Sequence, residues 1–152
     1  MTYQLLVGSI VSVINIMIHA LVTVGAIGIA RTAGLRPAAR PRLHLMAVMV
    51  ATAVVLMVAH LLEVVVWASV YGIVGAAPAG SELLYFAFVN YTTLSYGDIT
   101  PVQEWRLKGP MTAMNGILMF GWSTAVLFEV LRRTIEHLAA IGAPGFSPAD
   151  RS

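Results

Sequence analysis

The sequence predicts an all-α integral membrane protein with three membrane-spanning helices and one further segment that enters the bilayer without crossing it. Two observations carry this reading. Of 152 residues, 59% are apolar and only 11% charged, whereas a soluble domain holds about a quarter charged; mean hydropathy is +0.84. The apolar residues are gathered into three runs, each long enough at about 1.5 Å per residue to cover a hydrocarbon core of about 30 Å. The net charge of +2 is too small a surplus to predict a nucleic-acid partner, and the expected surroundings are lipid. The absence of cysteine removes disulfides, thiolate nucleophiles and cysteine-ligated metals together.

The first run fills residues 1–30 and reads as a span. A cleaved signal peptide is the rival, but such a peptide wants a basic start and a shorter apolar core, and Met1-Thr-Tyr-Gln has no basic residue. The second run, 43–77, is longer than one crossing needs and stops before Pro78, which predicts a tilted helix. The third follows Gly109-Pro110, a pair that ends one element and starts the next, and it predicts a helix over 110–132 closed by Arg132 and Arg133. Residues 31–42 hold four arginines, so the positive-inside rule makes this loop cytoplasmic. The N-terminus then lies outside the membrane, expected to be the plasma (inner) membrane. Residues 77–108 begin and end outside, and the tail 134–152 is cytoplasmic, with a disordered end after Ala140.

The outer segment from Ser81 to Pro101 is too apolar to be a plain loop. Ser81 suits an N-cap, Glu82 suits the positive end of a helix, and Glu82 to Tyr91 makes about 15 Å of helix, half a bilayer. Backbone that leaves helix at that depth is tolerated only beside protein or a wet cavity. Whatever follows Thr92 is therefore expected to line something wet. A half-helix entering from outside turns its negative end into the membrane, where it favours a cation.

Thr92-Thr93-Leu94-Ser95-Tyr96-Gly97-Asp98 resembles the potassium-channel signature Thr-Thr-Val-Gly-Tyr-Gly-Asp, agreeing at five of seven positions. The resemblance extends over outer helix, pore helix, filter and inner helix, from Met46 to Arg133. It implies a homotetrameric channel in which the backbone carbonyls of Thr93, Leu94, Ser95, Tyr96, Gly97 and Asp98 replace the water shell of permeant K+, with Na+ the second candidate, and no cofactor. The pore domain becomes 43–133, with outer helix 43–77, pore helix 81–92, filter 93–98 and inner helix 110–132; residues 1–30 become a peripheral helix. Thr93 offers carbonyl and hydroxyl oxygen. Tyr96 is expected to wedge behind the filter against an aromatic cuff of Tyr85, Phe86 and Phe88, and Gly97 to take the positive φ that aligns successive carbonyls.

Two departures bear on selectivity. Ser95 stands where the family has a glycine, and a left-handed conformation costs a non-glycine residue about 1–2 kcal/mol. The backbone bears that strain, or flips, or the hydroxyl faces the axis and makes a wider, weakly selective site. Val89 stands where some members carry a carboxylate, so a stabilising pair with Asp98 is expected to be absent. On the inner helix, Thr112, Gly116, Met119, Ser123, Val126 and Val130 form a small or moderately polar face expected to line the cavity. Gly116 and Gly121 read as close packing or as a hinge. Glu129 reads as part of a carboxylate ring at the inner mouth or as the partner of Arg132 and Arg133.

His19, His60 and Glu63 lie inside the spans, where ionisable groups cost from about 2.5 kcal/mol upward and imply a partner or a function. Three readings stand: a hydrogen-bonded lock with Asn15 or Asn90, a histidine pH switch, and a divalent metal site. A non-conducting sensor or metal-binding protein built on these residues is the alternative to a channel. No serine and histidine pair, carboxylate pair, phosphate loop or cofactor box predicts an enzyme.

Overall fold

A computed structural model describes residues 2–34 and 40–146. The middle of the basic loop and the end of the tail lie outside the described residues. Among the described residues the chain is all helix and turn: α1 is Thr2–Gly34, α2 Pro41–Val74, α3 Leu83–Tyr91 and α4 Lys108–Ala140, with a single 3-10 turn at Gln103–Trp105 before α4. α1, α2 and α4 are each long and apolar enough to cross a membrane, and the nine residues of α3, about 14 Å, are not.

The C-terminal ends of α2 and α4 differ from the sequence expectation for a common reason. α2 stops at Val74 instead of residue 77, because Gly75 takes φ 64°. Ala76 N–H then donates to Tyr71 C=O at 2.9 Å and Gly75 N–H to Gly72 C=O at 3.4 Å. That is a Schellman closure, which satisfies carbonyls left over at a helix end. α4 runs eight residues past 132 and closes the same way at Gly142, φ 67°, with Ala143 N–H on Leu138 C=O at 2.9 Å. Arg132 and Arg133 mark where apolar sequence stops, not where hydrogen bonding stops. Residues 141–146 continue in turns where a disordered end was expected. α3 starts at Leu83 with Glu82, not Ser81, in the N-cap position, and no side chain caps it.

The described chain packs as two compact units. The first joins Met1–Ala20 to Val58–Gly121 and holds the largest buried side chains: Trp67, Tyr71, Phe86, Tyr91 and Met119 are each at most 1% exposed. Its stretch of α1 is inverted relative to a soluble amphipathic helix. Val11, Asn15 and His19 are buried while Leu6, Ile10, Val13 and Met17 stand exposed, because lipid accepts the apolar face and protein must satisfy the polar one. Lys108 is fully buried too, its ammonium 5.3 Å from the Trp105 ring centre and 6.0 Å from that of Trp67, within cation–π range. The second unit, Leu21–Met57 with Trp122–Ser152, is centred on a cluster of Val48, Leu56, Val126 and Val130, flanked by Met49, Trp122 and Leu127.

Candidate functional site

The loop Thr93–Asp98 leaves the carbonyl end of α3 in an uncommon conformation. Thr93 N–H donates to Asn90 C=O at 3.2 Å and Leu94 N–H to Val89 C=O at 3.0 Å, the bonds of a third Schellman closure, here with Thr93 in the left-handed position that glycine usually fills. Thr93 has φ 60°, Ser95 φ 46° and Gly97 φ 80°, while Leu94 and Tyr96 between them stay negative. Ser95 thus bears the left-handed strain instead of flipping away from it. Non-glycine residues take this region seldom, and two of them within three positions amount to about 2–4 kcal/mol of stored strain. Residues 92–98 are all exposed in the single chain.

Asp98 has a partner that Val89 did not predict. The Tyr85 hydroxyl donates to its carboxylate at 2.7 Å. That bond holds the Asp98 carboxyl below the usual carboxylate range and, seen from the other side, pushes the Tyr85 phenol up to about 12. The expected aromatic cuff does not form within one chain. Phe86 turns away to stack against Tyr71, ring centres 4.9 Å apart, Tyr85 turns to Asp98, and Tyr96 is 67% exposed.

Within one chain, the residues expected to line the cavity from the inner helix are buried. Thr112 and Met119 are 0% exposed and Ser123 is 8%. Thr112 shares a 2.6 Å hydrogen bond with Tyr71, and Gly116 lies against the Tyr91 carbonyl. This face is consumed by packing inside the chain. The exposed face of α4 is instead Met114, Ile117, Leu118, Gly121, Thr124 and Phe128, at the same helical spacing but turned away. Apolar periodicity could not choose between them, since either lipid or protein accepts an apolar face. Glu129 accepts from Arg132 at 2.9 Å and from Arg133, and Arg132 also reaches Glu136 at 2.7 Å. That is the helical ion-pair alternative.

His19, His60 and Glu63 do meet. His19 Nδ1 lies 2.8 Å from Glu63 Oε1, and His60 Nδ1 lies 3.3 Å from Glu63 Oε2. Tyr91 Oη, from the last residue of α3, donates to Glu63 Oε2 and sits 2.9 Å from His60 Nδ1. Asn15 donates to Glu63 C=O at 3.3 Å and to Asn115 Oδ1 at 3.0 Å, and Trp67 Nε1 donates to the same Asn115 oxygen at 3.1 Å. Asn90, expected as a partner, donates into its own helix at Phe86 C=O. Tyr91, Trp67 and Asn115 were not singled out from sequence. Their signal there is a polar atom inside an apolar run, which the aromatic rings of Tyr91 and Trp67 conceal.

Residues 43–133 match the model of a family described as ion channel. No curated relative and no solved structure matches the chain.

Proposed function

The chain belongs to the ion-channel family, and from that premise we propose that four copies surround one axis and conduct monovalent cations passively, with potassium preferred. The observation that carries this reading is the alternation of backbone hand at Thr93, Ser95 and Gly97. Residues of opposite hand in turn direct successive carbonyls to one side, and such a row of oxygens stands in for the hydration shell of a permeant ion. The negative end of α3 adds its dipole at the same place. The exposure of Leu94 and Tyr96, 55% and 67% in one chain, is then covered by neighbouring copies.

Ser95 takes the hand that glycine would take, which favours a regular potassium-type filter over a widened site lined by its hydroxyl; the weakly selective channel is the second reading. Below the filter, Ile117, Gly121 and Thr124 face the axis. The arginine-rich loop and Arg132 with Arg133 lie on the cytoplasmic side of the plasma membrane, the N-terminus and the filter entrance outside. A non-conducting sensor would have no use for two strained, exposed residues at the end of a half-helix.

Liposomes holding the purified protein test this. Potassium flux should exceed sodium flux, be blocked by barium, and vanish in the Tyr96→Ala/Gly97→Ala double variant. Flux that survives the double variant overturns the filter assignment.

A further inference from the structure

We propose that His19, His60, Glu63 and Tyr91 form a binding site for one divalent transition-metal ion, Zn2+ foremost, at the root of the loop Thr93–Asp98. Three helices contribute the four donors: His19 from α1, His60 and Glu63 from α2, and Tyr91 from α3. Each carboxylate oxygen of Glu63 faces its own imidazole Nδ1, at 2.8 and 3.3 Å, and the Tyr91 oxygen completes the group at 2.9 Å from His60 Nδ1. Ligand atoms of the two histidines and the glutamate all lie within 4.8 Å of one another. A tetrahedral ion with bonds of about 2.0–2.1 Å keeps its ligands about 3.3–3.4 Å apart. The donors therefore need only small adjustments to accept one.

Donor chemistry selects the ion. Two imidazoles with a carboxylate and a phenol oxygen suit zinc and its first-row neighbours, whereas Mg2+ and Ca2+ want oxygen throughout. Charge points the same way. Glu63 and His19 are 0% exposed, and the Glu63 carboxylate meets the imidazoles of His19 and His60 and the phenol of Tyr91, with neither lysine nor arginine beside it among the described residues. A cation delivered into the site balances that buried carboxylate. His60, 15% exposed, is the ligand through which an ion enters. An occupied site ties the last residue of α3 to α1 and α2, two residues before Thr93. Control of the pore by the metal rests on the channel reading, whereas binding does not.

Full-length protein in detergent, stripped by a chelator, is titrated with Co2+ and then with Zn2+. One Co2+ per chain should bind with the visible absorption of a tetrahedral site and be displaced by Zn2+. His60→Gln should weaken binding at least about tenfold, and Glu63→Gln should abolish the tetrahedral spectrum. Wild-type protein that melts cooperatively yet binds no saturable Co2+ overturns the proposal in favour of a purely hydrogen-bonded lock; so does equal affinity in His60→Gln. Zn2+ should change flux in wild type and not in His60→Gln. Co2+ binding without any flux removes the channel reading and leaves the site standing, and flux without Co2+ binding does the reverse.

Discussion

Gly116 of α4 lies directly against the carbonyl oxygen of Tyr91, so closely that a Cβ at Gly116 would overlap it. The inner helix and the end of α3 are thereby held backbone to side-chain-free backbone, and the start of the loop at Thr93 is positioned by that contact. The missing side chain of Gly116 is what lets the two backbones approach this closely.

Gly116→Ala is therefore expected to push α4 off α3 at about 1–3 kcal/mol per chain, the usual cost of overpacking. Gly121, with nothing within 4 Å of its Cβ position, should accept alanine within about 0.5 kcal/mol. Thermal unfolding of the two variants in detergent checks this, and equal melting temperatures would remove the claim.

Ser95 already sits at φ 46°, so Ser95→Gly should relieve strain without redrawing the proposed filter. Relief of about 1–2 kcal/mol is offset by about 0.5–1 kcal/mol of extra chain entropy, leaving a small net gain in stability. The potassium-to-sodium reversal potential should stay put. A marked shift toward potassium would mean that the serine side chain, not the backbone alone, shapes the ion site.

The bond from Tyr85 to Asp98 predicts a pH effect with a definite sign. A carboxyl held below its ordinary value of 3.8 contributes order fully above that pH and loses it as pH falls through the lower, folded-state value. Tyr85→Phe removes the bond, so acid loss of potassium flux should begin at higher pH in the variant. The phenol, raised to about 12, stays a donor throughout the alkaline range used in flux assays. Superimposable acid profiles for wild type and Tyr85→Phe would sink this prediction.

Asn115 accepts from both Asn15 and Trp67. Asn115→Leu strands two buried donors and should cost about 1–3 kcal/mol, whereas Asn15→Leu, which leaves Trp67 bonded, should cost about 0.5–1.5 kcal/mol. Denaturation of the purified variants ranks them; the reverse order would show that Asn15 is held chiefly by its bond to the Glu63 backbone.

Sequence alone determined the class of this protein: three spans, a half-length helix between the second and third, and after it a loop that resembles a channel signature. Those are local properties, since hydropathy over about twenty residues and a seven-residue motif need no knowledge of neighbours. It also brought out His19, His60 and Glu63, because charge within an apolar run is conspicuous by itself. Only the tertiary structure decided which face of α4 is consumed in packing. In water, burial sorts apolar from polar, but in lipid both outcomes are apolar, and the periodicity of Thr112, Gly116 and Met119 fits either side. Tertiary structure likewise chose Tyr85 for Asp98, through the fold-back of the loop onto α3, and brought Tyr91 to Glu63, through the way α2 and α3 cross, and no local pattern records either.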